Sequence, residues 1–257
     1  MKSHDSQNFF TRNLGFISED EQARISSTTI LIAGAGADGG LLAERLVRFG
    51  IEKIILADPD VFEASNINRQ FAAYQKNLGR NKAEAVAEEL LQINPSLEIE
   101  WLKEGVTKEN VSRLVSSADV IVDEIEYSLP AISVMLHRKA RRQNKHVFIA
   151  ANIGWGASVF CFSPHGKTFE EHFEFDEQHQ TINPLRYLKT VPAYITDELK
   201  EKVLEGCITI PSLSSAVGLV ASVLSNEIIL FITKKRMPLI VPQFLSIDLF
   251  DFAIDKS

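Results

Sequence analysis

The sequence predicts an α/β protein: a mostly parallel, doubly wound sheet with helices on both faces, extended by a long crossover loop and a C-terminal helix and strand. Three observations carry this expectation. Short apolar, β-branched runs without polar alternation recur over the first 163 residues, as strands buried on both faces require. Segments with apolar residues at helical spacing separate them. A glycine-rich loop joins the first run to the first such segment.

Thr29-Ile-Leu-Ile-Ala33 is the first strand and leads into Gly34-Ala-Gly36-Ala-Asp38-Gly39-Gly40. Leu42, Leu46 and Phe49 then mark one helix face until Gly50 stops it. Residues 53–57 form a second strand ending at Asp58. Helices are expected at about 81–92, 108–116 and 131–143, with strands near 97–102, 119–122 and 146–150. Residues 157–162 read as a further strand. The polar stretch 163–206 has weak periodicity, and a connection that long is usually functional. A helix over about 213–231 and a strand within 242–254 complete the chain. A single domain is expected, divided into an N-terminal helical arm (1–28), a nucleotide-binding core (29–163), a crossover loop (164–207) and a C-terminal helix and strand (208–257).

Composition narrows the functional classes. The chain is 45% hydrophobic and 24% charged, which is ordinary for a globular protein. Its net charge of -7 disfavours nucleic acid as a partner. Two cysteines, Cys161 and Cys207, supply neither a disulfide framework nor four zinc ligands, so no structural zinc is expected and a reducing, cytoplasmic compartment fits best. The first ten residues lack the apolar core of a signal peptide. The apolar stretch 208–233 is interrupted by Pro211, Asn226 and Glu227, and reads as a buried core helix rather than a membrane span.

The chemistry concentrates behind the glycine loop. Gly34, Gly36 and Gly39 have the G-x-G-x-x-G spacing of Rossmann-like folds, between a strand and a helix, where backbone N–H groups meet phosphate at the positive end of the helix. Asp58 ends the second strand, where a carboxylate accepts hydrogen bonds from ribose hydroxyls. That alone suits NAD as well as ATP. The following segment, Asp58-Pro-Asp60-Val-Phe-Glu-Ala-Ser-Asn66-Ile-Asn-Arg69-Gln70, adds Asp60, Asn66, Arg69 and Gln70, and Lys82 comes soon after. Arg69 and Lys82 offer donors to a triphosphate, a role that a dinucleotide leaves empty. Asn66 and Lys82 equally suit capping or solvated positions. Asp38, inside the loop, either faces outward or stands near a metal.

With the glycine loop, the motifs Asp58-Pro-Asp-Val, Ser65-Asn-Ile-Asn-Arg-Gln70 and Leu78-Gly-Arg-Asn-Lys82-Ala resemble the ThiF/MoeB/HesA superfamily, which shares its adenylation fold with the ubiquitin-activating enzymes. The resemblance covers residues 9–163 clearly and the helix after Pro211 less strictly. It implies ATP and Mg²⁺ as cofactors and a partner carboxylate that attacks the α-phosphate, giving an acyl-adenylate and pyrophosphate. The carboxylate is that of a small ubiquitin-like or sulfur-carrier protein, a peptide or a small acid. Gly36 and Gly39 then approach the phosphates, Asp58 holds the ribose, and Asn66, Arg69 and Lys82 stabilise the triphosphate. In Asp123-Glu-Ile-Glu126-Tyr, Glu126 takes the place of the family's metal-binding aspartate. Phe9-Phe10-Thr11-Arg12-Asn13 is similar to a motif whose arginine enters the neighbouring subunit's site, which makes Arg12 a candidate finger and a homodimer the expected assembly.

Other residues read two ways. Cys207 is either a nucleophile forming a thioester or persulfide, as in some family members, or buried core. Asp123, Glu124 and Glu126 also suit a solvated acidic loop. His165, His172 and His179 read as part of a solvated loop, and the run from His137 to Arg142 as a solvated helix face. Cys161 reads as structural. Beside adenylation, the alternatives are an ATP-dependent dehydratase of the same fold acting on tRNA threonylcarbamoyl-adenosine or a peptide, an NAD-dependent oxidoreductase, and a catalytically silent partner subunit.

Overall fold

A short 3-10 turn, Thr11–Asn13, and helix α1 (Glu19–Ser27) precede β1 (Thr29–Ala33), α2 (Ala37–Phe49) and β2 (Lys53–Ala57) in the computed structural model of the chain. It describes residues 9–204, 207–208 and 210–256; residues 1–8 of the N-terminal arm lie outside the described residues. Next come α3 (Lys82–Ile93), β3 (Glu98–Leu102), α4 (Val111–Ser117), β4 (Val120–Asp123), α5 (Pro130–Arg142), β5 (Val147–Ile153) and β6 (Gly156–Phe162). Then come α6 (Phe169–Phe173), α7 (Asp197–Leu204), α8 (Ser214–Ile232), β7 (Leu245–Asp248) and β8 (Ala253–Asp255).

These strands form one sheet in the order β3-β2-β1-β4-β5-β6-β7-β8. The first five run parallel, with Ala33 in register with Ala57 and Asp123. β6, β7 and β8 continue the sheet antiparallel. β1 and β4 are buried almost throughout, which explains their unbroken apolar sequences. Gly50 ends α2 in the left-handed conformation, with φ +103°, and a Cβ there would also strike Gln22.

One face of the sheet is covered by α2, α3 and α8, the other by α4, α5 and α6. Helix α8 is long and apolar enough to cross a membrane, but Val220, Leu224 and Ile228 are wholly buried in the first of these layers. The single C-terminal strand expected within 242–254 is instead the hairpin β7–β8.

The crossover region is more ordered than its composition suggests. Thr168 and Glu171 form a capping box that starts α6, and Glu174 ends it with φ +56°. Phe169 and Phe173 thereby enter a buried aromatic cluster with Phe160, Phe162, Tyr187 and Phe244. His172 belongs to this cluster at 7% exposure, so its assignment to a solvated loop is corrected. His137 is likewise buried, between Phe162 and Phe169, while Arg138, Arg141 and Arg142 face solvent.

Burial, helped by the charge of Lys167, pushes the His172 imidazole down to about 4. The unfolded chain binds a proton near pH 6.5 that the folded protein refuses, so this contribution is complete above pH 6.5 and is lost as pH falls toward 4. A loss of about 2 kcal/mol is expected over that window. Denaturant melts at several pH values should show it, and His172→Phe should flatten the slope.

Candidate nucleotide site

Parallel pairing carries the ends of β1, β2 and β4 to one edge of the sheet, where doubly wound folds bind ligands. The glycines there do different work. Gly34 has φ +107°, and a Cβ on it would lie 2.2 Å from the Glu124 carbonyl oxygen. A Cβ on Gly39 would lie 2.1 Å from the Gly34 carbonyl oxygen. Both glycines are therefore demanded by backbone packing. Gly36 caps α2, and a Cβ there would meet only Gln70 Nε2, at 3.9 Å. Its open side leaves room for an anion at the positive end of the helix.

Asp58 is 4% exposed and already engaged. Its Oδ2 accepts from the Ala35 amide at 2.6 Å and its Oδ1 from the Asp60 amide at 2.8 Å. Burial raises its carboxyl above the usual range, against those amides and the Lys82 charge. Asp58 thus tethers the glycine loop to β2, with lone pairs remaining for ribose hydroxyls. Asp60 is exposed and pairs with the buried Lys82 ammonium at 3.0 Å. A phosphate would compete for that ammonium, because Asp60 is free to turn to water.

Asn66 is buried, and its Oδ1 accepts from the Glu63 amide, capping the 3-10 turn Ala64–Asn66. That turn positions the next two functional residues, since the amides of Arg69 and Gln70 both donate to the Asn66 carbonyl. Arg69 donates through Nη1 to Ser65 O at 3.0 Å and to Asn68 Oδ1 at 2.8 Å. Arg69 Nε and Gln70 Oε1 are buried without a partner. Unpaired polar atoms of this kind are costly, and a bound group that accepts from Arg69 Nε and donates to Gln70 Oε1 would offset that cost.

The acidic segment after β4 divides. Asp123 is buried against His137 Nε2 at 3.1 Å and accepts from the Ile125 amide, so it is no solvated loop residue. Glu124 is half-buried, accepts from the Ala150 amide, and has its carboxyl raised well above the usual range by burial and by Asp38. Glu126 is exposed. Asp38, expected to face outward or toward a metal, turns inward: Oδ2 accepts from Asn152 Nδ2 at 2.7 Å, and burial pushes its carboxyl up to about 7. The sequence offered no signal for Asn152, since the two residues lie 114 positions apart.

Two candidates lie apart. Arg12 is exposed on the 3-10 turn beside Asn13, whose Nδ2 donates to Phe49 O near the far end of α2. At about 1.5 Å rise per residue, α2 separates that end from the glycine loop by roughly 20 Å. Arg12 therefore does not join the cleft of its own chain. Cys207 is exposed beyond α7, its amide donating to Lys202 O, which removes the buried-core reading. Cys161 is buried in β6, and burial pushes its thiol far up, as a structural cysteine requires.

The ThiF family profile matches residues 10–256. The chain belongs to the ThiF family. Within the family it is similar to the SAMP-activating enzyme E1 of Haloferax volcanii, 32% identical over 107 residues that take in 42% of this chain and 40% of that enzyme. It is 35% identical to the tRNA threonylcarbamoyladenosine dehydratase of Escherichia coli over 109 residues, 42% of this chain and 41% of the other. With the E. coli sulfur carrier protein ThiS adenylyltransferase it shares 26% identity over 148 residues, 58% of each. Each of these matches spans less than two thirds of the relative. Among solved structures, PaaA superposes with a TM-score of 0.71 at 21% identity, covering 93% of this chain and 75% of that one. E. coli MccB with ATP gives 0.70 at 20% identity, covering 92% and 65%. The fold is thus the ThiF α/β fold that the sequence predicted.

The residues fit a nucleotide: the open side of Gly36 and the orphaned Arg69 Nε suit a triphosphate, while the Gln70 Oε1 acceptor calls for an N–H or O–H group of the ligand. No three of His, Cys, Asp and Glu gather into a metal cage among the described residues. Mg²⁺ needs only one or two carboxylates beside the phosphates it accompanies, so a cage of three is not required for it.

Proposed function

We propose that this ThiF-family chain is an ATP-dependent adenylyltransferase that activates a carboxylate as an acyl-adenylate. The observation that carries the reading is the buried, unpartnered Arg69 Nε, next in sequence to Gln70, whose Nε2 lies beside Gly36 at the N-terminus of α2. The α2 amides and Gly36 receive phosphate oxygens, Asp58 accepts from the ribose, and Arg69, Lys82 and Asn66 spread the negative charge of the triphosphate. A carboxylate oxygen of the substrate bonds to the α-phosphorus as the bond to the pyrophosphate oxygen breaks. Pyrophosphate leaves with that electron pair, and Arg69 and Lys82 stabilise the charge it takes. Mg²⁺, held by the phosphates and Glu126, would supply further neutralisation.

The substrate class is the C-terminus of a ubiquitin-like or sulfur-carrier protein, or a peptide. The likeness to enzymes named for SAMP and ThiS supports the first, and the fold shared with MccB the second. In a homodimer, Arg12 would come from the second copy, in keeping with its distance from its own cleft. The dehydratase reading shares the ATP step and draws on the E. coli relative of that name. An NAD-dependent oxidoreductase leaves Arg69 and Lys82 without work.

Pyrophosphate exchange into ATP, measured with Mg²⁺ and candidate carboxylates, tests the proposal. Protein that binds NADH and not ATP would overturn it. Cys207→Ala is expected to leave exchange within about twofold of wild type, because adenylation needs no thiol. If Cys207 takes the acyl group as a thioester, the same variant loses the covalent adduct seen by intact-protein mass spectrometry.

A further inference from the structure

Asp38 is a costly residue for its place. It is nine-tenths buried, stands in the first turn of α2 inside the glycine loop, and leaves Oδ1 without a hydrogen-bond partner. Its other oxygen begins a chain through four separate segments. Asn152 of β5 donates through Nδ2 to Asp38 Oδ2 at 2.7 Å. Ser212, just before α8, donates through Oγ to Asn152 Oδ1 at 2.6 Å. Asn68 donates through Nδ2 to the Ser212 carbonyl at 3.1 Å. Arg69 donates through Nη1 to Asn68 Oδ1 at 2.8 Å.

We propose that Asp38 is a positioning residue of the nucleotide site: through Asn152, Ser212 and Asn68 it sets where the Arg69 guanidinium stands. The proposal rests on the reading that Arg69 grips the triphosphate. A carboxamide can present either end to a neighbour, but Asp38 in its ionised form can only accept, as its Oδ2 does from Asn152 Nδ2 at 2.7 Å. Asp38 therefore fixes the Asn152 amide with Nδ2 inward and Oδ1 toward Ser212. The Ser212 hydroxyl, given one acceptor, holds the segment before α8. Its carbonyl then takes the Asn68 amide nitrogen and leaves the Asn68 oxygen turned to Arg69. The Arg69 charge in turn bears on Asp38. Ser212 also lies five residues beyond Cys207, so the chain of hydrogen bonds joins the end of the crossover region to the glycine loop.

The test is ATP affinity without carboxylate substrate, by calorimetry with Mg²⁺ present, for wild type, Asp38→Ala, Asn68→Ala and Arg69→Ala. It also includes the doubles Asp38→Ala/Arg69→Ala and Asn68→Ala/Arg69→Ala. Asp38→Ala and Asn68→Ala should each weaken binding about tenfold, and neither should add more than about twofold once Arg69 is gone. Asp38→Asn keeps an acceptor for Asn152 but can also donate to it, so its affinity should lie between those of Asp38→Ala and wild type. Wild-type affinity in Asp38→Ala and Asn68→Ala beside a weakened Arg69→Ala would overturn the proposal while sparing the reading of Arg69. Losses that add fully to that of Arg69→Ala would do the same. An unaffected Arg69→Ala would fell the reading itself. Asn68 is exposed, so its variant keeps the test open if Asp38→Ala does not fold.

Discussion

Arg69→Ala and Lys82→Ala are each expected to weaken ATP binding by about 10- to 100-fold and to slow pyrophosphate exchange by about 10²- to 10³-fold. The two side chains enter the site differently. Arg69 is half-buried and holds one nitrogen, Nε, buried and unused, so a bound phosphate gains a donor whose desolvation the fold has already met. Lys82 is buried at the start of α3 and is held by the exposed Asp60 at 3.0 Å, an ion pair that releases its cation at small cost. Loss of exchange should therefore exceed loss of affinity, since the charge both residues meet grows as pyrophosphate departs. Thermal melts separate this from unfolding: Arg69→Ala should shift stability by less than about 1 kcal/mol, and Lys82→Ala by more, because the Lys82 stem is buried. Calorimetry with ATP and exchange with labelled pyrophosphate read the two effects.

Gly34→Ala and Gly36→Ala should split stability from binding. At Gly34, φ +107° and a Glu124 carbonyl oxygen 2.2 Å from the new Cβ impose strain together with a clash against backbone. A loss of about 3 kcal/mol or more is expected, read by denaturant titration. At Gly36 the new methyl finds only Gln70 Nε2 at 3.9 Å, and stability should change by less than about 1 kcal/mol. The same methyl occupies the side left open at the head of α2, so ATP affinity should fall about tenfold or more. Equal behaviour of the two variants would contradict the division of labour drawn within the loop.

The parallel core was legible because each strand and helix carries its own period. Thr29–Ala33 and Lys53–Ala57 coincide with β1 and β2, and the helix ends fall within a few residues of the expected positions. The crossover region was not legible: Phe169 and Phe173 bound a five-residue helix in a run of polar residues, too short for a period to declare itself. His137 and His172 were misplaced because their burial depends on Phe162, Phe169 and Phe173 arriving from other elements. Within the site, the identities of Asp58, Arg69 and Lys82 were readable and their partners were not. That Asp58 tethers Ala35, that Asp60 shields Lys82, and that Asp38 reaches Asn152 are facts of tertiary register, which no local pattern encodes. Asn66 was open between capping and binding, and the cap on Glu63 is what its oxygen makes.

The most direct test of acyl adenylation is ATP–pyrophosphate exchange with purified protein and a panel of ubiquitin-like C-termini, sulfur-carrier proteins, peptides and small acids. Label from pyrophosphate is predicted to enter ATP only when Mg²⁺ and a matching carboxylate are both present, and to stop entering in Arg69→Ala. Exchange that persists undiminished in both Arg69→Ala and Lys82→Ala, or a protein that fails to bind ATP at all, would contradict the account.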